Sequence, residues 1–316
     1  YFGCAPLESK YGSTSIDTMS VIDDQDNVLV NTNDCPFELS FTAATTLKEK
    51  YSKIDMLLVG YTSASAYPQC FTLSEAEKIR EKERMQQDFL KKAENYVNLF
   101  EPNYFMPFAG RYTLAGKLAP LNDYRGVTEL DDAFSYFTNS KNIDVEKSKC
   151  IILNPGSIFD TETGQPSEPY KKIDKIQKQQ YIQNVLAKRK LDYESEQEPE
   201  IDEIKSLIGK CYERFERKRK ELRFSSETTV LIKLSSEEFL AISCNGNGWK
   251  IIKQKNIDDY KNYVKLSLDT RLLKWILSGP RYAHWNVAEN GSHITFERTP
   301  NVYERGLYYC LAFFYA

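Results

Sequence analysis

Short apolar runs and polar turns alternate along the first third of the chain, and their spacing predicts strands separated by helices. Residues 15–22 and 28–30 carry side chains suited to two strands, and the Asp and Asn residues at 23–27 supply the turn chemistry of a hairpin. A short helix is expected over residues 40–51. Residues 54–59 are nearly all apolar, as in a strand that is buried on both faces of a layered α/β protein.

A long helix is predicted from about residue 74 to residue 100. Ser74 and Glu77 can form a capping box at its start, and apolar residues recur on one of its faces. Apolar runs at residues 104–107 and 150–153 predict two more short strands.

The remaining chain changes in composition. Residues 166–223 are rich in Lys, Gln and Glu, which is typical of solvated helices that connect two domains. A final sheet with two covering helices is predicted at residues 228–234, 239–244, 249–253, 268–277 and 302–314. We therefore predict an α/β protein in three parts: residues 1–165, a helical connector at 166–225 and a small α+β domain at 226–316.

Composition and charge limit the classes of partner. Of the 316 residues, 41% are hydrophobic and 13% aromatic, which is enough for one large or two modest cores. The net charge of −3 leaves no basic surplus that would draw the protein onto nucleic acid. No apolar run approaches the roughly 20 residues that cross a bilayer. The seven cysteines never form a CxxC pair, so free thiols in a reducing cytoplasm are expected.

Two loops after predicted strands carry the candidate chemistry. Asp34 follows the strand at 28–30, where an α/β layer places its ligands, although a simple turn role ahead of Pro36 is the alternative. The loop after the strand at 54–59 is rich in hydroxyl and small residues, which favours either a pocket for an anionic group or a tight connection to the next helix. Its candidate substrate-binding residues are Tyr61, Thr62, Ser63 and Ser65.

The only two histidines, His284 and His293, lie nine residues apart and are flanked by aromatic residues. Imidazole is a common metal ligand and acid or base. Without a nearby carboxylate or thiolate, however, packed and hydrogen-bonded histidines are the favoured interpretation. We expect them to line a pocket at most.

The segment 303–314 is similar to the C-terminal region of CMP-N-acetylneuraminate hydroxylases, and four motifs within residues 1–165 resemble the second half of the metallo-β-lactamase-like domain of that family. They are the segments 28–36, 54–68, Pro107-Phe-Ala-Gly110 and Asn154-Pro-Gly-Ser157. The resemblance implies half of an αββα sandwich, with Asp34 as a metal ligand and Phe108 and Gly110 beside the substrate. Many hydrolases of the same fold carry a metal-binding His where this chain has Ala109 and Gly110.

The resemblance implies a metal-dependent enzyme that acts on a sugar-linked or phosphorylated small molecule, with zinc or iron in the full-length parent. Because one aspartate cannot hold a transition metal, we expect no tightly bound metal and no turnover in this chain alone. We expect a His-x-His-x-Asp-His loop upstream of Tyr1. A phosphodiesterase or lactonase of the same fold, or a metal-free binding or scaffolding protein, are the alternatives.

Overall fold

The computed structural model describes residues 2–4, 17–62 and 64–316. The chain separates into two units. The first unit contains residues 1–64, 79–112 and 126–179, and the second contains residues 65–78, 113–125 and 180–316. Both units mix strands with helices, which confirms the α/β class. Residues 166–225, predicted as a connector, are shared between the two units.

A six-stranded sheet forms the centre of the first unit. Its strands, in spatial order, are β1 (Phe2–Cys4), β2 (Asp17–Asp23), β3 (Val28–Asn31), β4 (Met56–Gly60), β5 (Tyr104–Phe108) and β6 (Lys149–Cys150). The strands β1, β2 and β3 pair antiparallel. From β3 to β6 every pair is parallel, so the carboxyl ends of four strands meet at one edge of the sheet.

Three helices connect the parallel strands: α1 (Phe37–Lys50), α2 (Glu75–Phe100) and α3 (Leu130–Thr138). Because the strand order is sequential and crossovers between parallel strands are right-handed, these helices cover the same face of the sheet. Leu47, Val97 and Phe137 from the helices pack with Leu57 and Phe105 from the sheet in one buried core.

The alternate residues of the same strands point to the other face of the sheet, as the two-residue period of a strand requires. Four of them are apolar and half-buried: Leu29, Leu58, Met106 and Phe108. A two-stranded ribbon, β7 (Phe159–Asp160) and β8 (Gln165–Pro166), touches this face where Phe159 packs edge-on against Tyr104.

The second unit is built on a five-stranded sheet and several helices. After α4 (Lys175–Asn184), which is divided between the two units, and α5 (Ile201–Glu221) come five strands. They are β9 (Thr229–Lys233), β10 (Glu238–Ser243), β11 (Trp249–Lys253), β12 (Tyr263–Ser267) and β13 (Thr295–Thr299). Their order is β11-β10-β9-β12-β13. The helices α6 (Thr270–Ser278), α7 (Trp285–Asn290) and α8 (Arg305–Leu311) complete the unit, and α5 packs against α6 and α8.

Several predicted elements are confirmed and some are wrong at their ends. The hairpin, the capping box of α2 and the strands β9 to β11 are present, although residues 15 and 16 of the predicted hairpin lie outside the described residues. The first helix begins at Phe37 rather than residue 40, directly after Pro36, whose fixed φ suits a helix start. The strand predicted at 150–153 is reduced to Lys149–Cys150, because only these two residues pair with β5. Helices α3 and α7 and strands β12 and β13 were not predicted.

Six of the seven cysteines have side chains within the described residues. Cys70, Cys150, Cys211, Cys244 and Cys310 are free thiols within the described residues, and Cys35 is buried. Cys4 lies outside the described side chains. Across the described ranges, each helix is either too short or too polar to cross a membrane.

Candidate functional site

The loops that follow β3 and β4 lie directly beside each other. The amide of Thr32 donates to the carbonyl of Leu58 at 3.0 Å, and the amide of Gly60 donates to the Thr32 hydroxyl at 3.4 Å. A Cβ atom on Gly60 would lie 3.1 Å from the carbonyl oxygen of Asn33. The two loops are therefore closely packed at this point of the carboxyl edge, which is where α/β proteins bind ligands.

Asp34 lies in the turn after β3 rather than at the end of the strand itself. The strand ends at Asn31, and Asn33 has a left-handed φ of 49°, a conformation that Asn tolerates well. The Asp34 side chain is exposed. The Asp34 carboxylate therefore lies among the turns at this edge of the sheet. This position suits a turn residue and a ligand equally.

Tyr61 and Thr62, which come directly after β4, are buried. Tyr61 is 1% exposed and Thr62 is 7% exposed. Neither hydroxyl makes a hydrogen bond of normal geometry with a described residue, although the Arg111 guanidinium lies near Tyr61. Burial strongly raises the pKa of Tyr61, and Arg111 offsets only part of this rise. A buried hydroxyl that lacks a well-formed hydrogen bond costs free energy, so the two hydroxyls are notable among the described residues.

The chain turns sharply after β5, at Ala109 and Gly110. Ala109 has a φ of 61° and Gly110 a φ of 80°, so two successive residues are left-handed. Only Gly fits the second position, because a Cβ there would lie 2.7 Å from the Thr62 carbonyl oxygen. Strained backbone of this kind is often found at ligand sites. The turn brings Arg111 to the same edge as Tyr61.

Five residues form what we call the edge cluster: Tyr61, Thr62, Arg111, Glu129 and Tyr170. An Arg111 Nη atom lies 3.5 Å from a Glu129 carboxylate oxygen, and Lys178 forms an ion pair with the other oxygen. Burial raises the pKa of Tyr170, as does the negative charge of Asp131. The Tyr170 hydroxyl is also enclosed without a normal hydrogen bond among the described residues.

Sequence reasoning misses three members of the edge cluster. Arg111 carries a usable signal, because it is the first charged residue after β5 and follows a left-handed Gly. Glu129 and Tyr170 lie 18 and 59 residues further along the chain, and nothing local marks them. Only the fold shows that they reach the same edge.

The other predicted loop residues have different surroundings. Ser63 lies outside the described residues. Ser65 belongs to the second unit, where its hydroxyl accepts a hydrogen bond from the Tyr67 amide at 3.1 Å. Phe108 ends β5 and is half-buried on the sheet face opposite the helices. Of the predicted loop residues, Tyr61, Thr62 and Gly110 therefore lie together.

Both histidines make hydrogen bonds within the second unit. His284 caps α7, where its Nδ1 atom accepts from the Asn286 amide at 3.2 Å. The Nδ1 atom of His293 lies 3.2 Å from the Tyr193 hydroxyl. Burial lowers the pKa of His293, and the nearby Lys117 ammonium lowers it further. His293 is thus favoured as a neutral, packed side chain.

The described residues do not form a metal site. Asp34 is exposed in its turn, and Ala109 and Gly110 have no ligating side chains. No group of three or more His, Cys, Asp or Glu side chains that could hold an ion occurs within the described part of the chain.

Comparisons of the chain with protein-family models, with curated proteins and with solved structures give no match. The assignment of function therefore depends on the geometry of the edge cluster.

A second group of titratable side chains lies in the second unit around Glu289. Burial raises the pKa of Glu289 to about 7 from an ordinary value of 4.5, and Arg298 opposes the rise. Burial also raises the pKa of the neighbouring Tyr308 to about 12. The Tyr308 hydroxyl is enclosed and makes no hydrogen bond of normal geometry with a described residue, although Arg298 lies near it.

The raised pKa of Glu289 predicts a pH-dependent stability. Between pH 4.5 and 7 the folded protein holds a proton that the unfolded chain releases, so the free energy of unfolding falls as the pH rises through this window. The loss is at most about 3 kcal/mol. Urea unfolding of Glu289→Gln should lack this component, so the stability of the variant relative to wild type increases from pH 4.5 to 8. A difference that is constant with pH would contradict the prediction.

Proposed function

We propose that the edge cluster binds the phosphate or carboxylate group of a sugar-linked or phosphorylated small molecule. The observation that carries the proposal is the Tyr61 hydroxyl, which is enclosed beside Arg111 without a normal hydrogen bond among the described residues. An anionic oxygen at this point would accept from Tyr61 and from the planar guanidinium together, which is the pairing that Arg favours.

The balance of charge supports an anionic group of low charge. Glu129 is shared between Arg111 of the cluster and Lys178 outside it, so two cations lie around this carboxylate. A second carboxylate, that of Asp131, lies beside Tyr170. The loose 3.5 Å contact between Arg111 and Glu129 leaves other N–H groups of the guanidinium able to bind a ligand.

We further propose that the first unit is part of a metallo-β-lactamase-like αββα sandwich related to CMP-N-acetylneuraminate hydroxylases. The supporting features are the sequential parallel strands with helices on one face and the apolar residues on the other face, such as Leu58 and Met106. In such a sandwich a second sheet would cover that apolar face. Asp34 would be one metal ligand, but the described residues supply no set that completes the site.

A metal-free binding protein is the second candidate. It is favoured by the strand end after β5, where Ala109 and Gly110 are left-handed, Gly110 lies against Thr62, and neither residue has a ligating side chain. Both candidates share the anion site, so one binding experiment tests that site for both.

The test is calorimetric titration with inorganic phosphate, glucose 1-phosphate and CMP-N-acetylneuraminate. We expect Tyr61→Phe to weaken the binding of the tightest probe at least fivefold, with stability unchanged or slightly raised, because the hydroxyl has no partner to lose. Tyr96→Phe is the matched control. Its hydroxyl donates to the Cys35 carbonyl at 3.0 Å, so it should lose about 1 kcal/mol of stability and no affinity.

Two results would reject the anion site. One is the absence of binding by all three probes at 10 mM, a concentration that detects affinities of roughly −3 kcal/mol. The other is equal affinity of wild type and Tyr61→Phe. Repeating the titration with added zinc or iron(II), in wild type and Asp34→Ala, separates the metal-dependent candidate from the metal-free one.

A further inference from the structure

A cavity of about 390 Å³ lies at one edge of the sheet of the second unit. In this sheet β9 and β12 run parallel, whereas the other pairs of strands are antiparallel. Both parallel strands end at the cavity, because Lys233 is the last residue of β9, Ser267 is the last residue of β12, and both residues line it. Ligands of α/β sheets bind outside the carboxyl ends of parallel strands. We call this opening the Lys233 cavity.

The strand register places Lys233 and Ser267 side by side. Leu231 of β9 pairs with Lys265 of β12. Lys233 and Ser267 each come two residues later, so they share the same register and their side chains point to the same face of the sheet. An ammonium and a hydroxyl are therefore brought together by the backbone of two neighbouring strands.

The segments that follow the two strands lead away from each other and supply more hydroxyl groups. After β9, Ser235 and Ser236 form the turn into β10. The Ser235 hydroxyl accepts hydrogen bonds from the amides two and three residues later, at 3.2 and 3.1 Å, so its proton remains available to donate. After β12 the chain enters α6, of which Thr270 is the first residue. These three residues line the cavity together with Ser267.

The charge of the lining favours an anion. Lys233 is the charged residue of the lining, and no acidic residue lines the cavity within the described chain. The Lys233 side chain is exposed, and its ammonium forms no ion pair with a described residue. Asp269, which precedes Thr270, does not line the cavity. Its carboxylate is compensated by Arg271 at 2.8 Å and by Lys117 at 3.0 Å.

The remaining lining is apolar and sets the kind of anion. Leu234 and the half-buried Leu268 line the cavity beside the polar residues. The volume of about 390 Å³ falls in the range of pockets for small organic molecules, so the cavity has room for more than an inorganic ion. Lysine is a common binder of phosphate, and hydroxyl groups can donate to its other oxygens.

We propose that the Lys233 cavity binds a phosphomonoester of a small apolar molecule. The phosphate lies beside the Lys233 ammonium and accepts hydrogen bonds from the hydroxyls of Ser236 and Ser267. The organic part packs against Leu268. This site lies within the second unit, so it does not depend on the anion site of the first.

The test uses the full chain and phenyl phosphate, with inorganic phosphate, phenol and benzoate as comparison probes. Binding is followed by saturation-transfer NMR for the aromatic probes and by phosphorus NMR line width for the phosphates. We expect phenyl phosphate to bind with a Kd on the order of 1 mM. Lys233→Gln should weaken this binding roughly fivefold or more, because a charged hydrogen bond is lost. Lys261→Gln, an exposed lysine just before the other end of β12, is the matched control and should bind as wild type does.

Two further variants locate the ligand. Leu268→Ala should weaken the binding of phenyl phosphate and leave that of inorganic phosphate unchanged, because only the phenyl ring contacts the leucine. Each titration is repeated in Tyr61→Phe, which affects the edge cluster alone. Binding that depends on Lys233 should be the same in that variant, so failure of one anion site is distinguished from failure of the other.

Three results would overturn the proposal. The first is equal affinity of Lys233→Gln and Lys261→Gln for phenyl phosphate. The second is binding of phenol as tight as that of phenyl phosphate, which would leave an apolar pocket only. The third is tighter binding of benzoate than of phenyl phosphate, which would assign the cavity to carboxylates. If Lys233→Gln unfolds, Ser236→Ala replaces it, because this exposed turn residue contributes no packing, and the same comparison with Lys261→Gln applies.

Discussion

Gly110→Ala is expected to destabilise the first unit by about 3 kcal/mol. A non-glycine residue at a φ of 80° costs roughly 1–2 kcal/mol. The added Cβ would also lie 2.7 Å from both the carbonyl oxygen and the Cγ2 atom of Thr62, and such overpacking costs roughly 1–3 kcal/mol. Since the oxygen is backbone, the clash can be relieved only by moving the loop after β4, so anion binding should weaken as well.

The chain offers a matched control in the same unit. Gly156 has a similar φ of 88°, but a Cβ there would have no atom within 4 Å. Gly156→Ala should therefore cost only the backbone strain, about 1 kcal/mol. All three tryptophans, Trp249, Trp275 and Trp285, belong to the second unit. Tryptophan fluorescence therefore reports on the second unit. Unfolding of the first unit in urea is followed as the part of the far-UV circular dichroism change that tryptophan fluorescence does not show. Equal losses in both variants would show that the contact with Thr62 is unimportant.

Much of the first sheet could be predicted from sequence because its signals are local. The apolar run at 54–59, the turn residues at 23–27 and the capping box of α2 each lie within a few residues of the element that they define. The strand β12 was not predicted. Apolar and polar residues do alternate over Tyr263-Val-Lys-Leu-Ser267, but the segment is too short for the alternation to stand out. The strand β13, with Glu297 and Arg298 at its centre, has almost no apolar signal.

The candidate site could be predicted only where it follows a strand. Tyr61 and Thr62 come directly after β4, where the rule for ligand positions in α/β sheets points. Gly110, just after β5, was predicted through the resemblance of its motif. Glu129 and Tyr170 reach the edge through the path of the chain after β5, which no spacing encodes. The division into two units likewise depends on tertiary contacts. Residues 65–78 and 113–125 belong to the second unit, although they lie between segments of the first.

A cluster of charged side chains in the second unit centres on Asp269, the N-cap residue of α6. Its carboxylate accepts two hydrogen bonds from the Arg271 guanidinium at 2.8 Å each and one from the Arg271 amide at 3.1 Å. The Lys117 ammonium lies 3.0 Å from the same carboxylate and 3.1 Å from Glu194. The Asp269 side chain is 13% exposed, so these contacts are poorly screened.

Asp269→Ala is expected to destabilise the second unit by about 3 kcal/mol. Removal of one member of a desolvated ion pair leaves the opposite charges without compensation, which costs several kcal/mol when burial is complete and less here. Loss of the N-cap adds about 1 kcal/mol. Asp269→Asn, which keeps a capping oxygen, should lose less. Glu221→Ala is the control. The Glu221 side chain is 62% exposed, so its ion pair with Lys218 should contribute under about 0.5 kcal/mol.

The direction of the Asp269 pKa gives this prediction a second readout. The Arg271 hydrogen bonds, followed by Lys117, hold the pKa of Asp269 well below its ordinary value of 3.8. A depressed acid stabilises the folded state above the unfolded pKa and loses that contribution as the pH falls below it. The stability gap between wild type and Asp269→Asn, followed by tryptophan fluorescence in urea, should therefore be constant from pH 7 to 5 and shrink below about pH 4. A gap that persists unchanged at pH 2.5 would mean that the carboxylate acts through its shape and capping bond rather than through its charge.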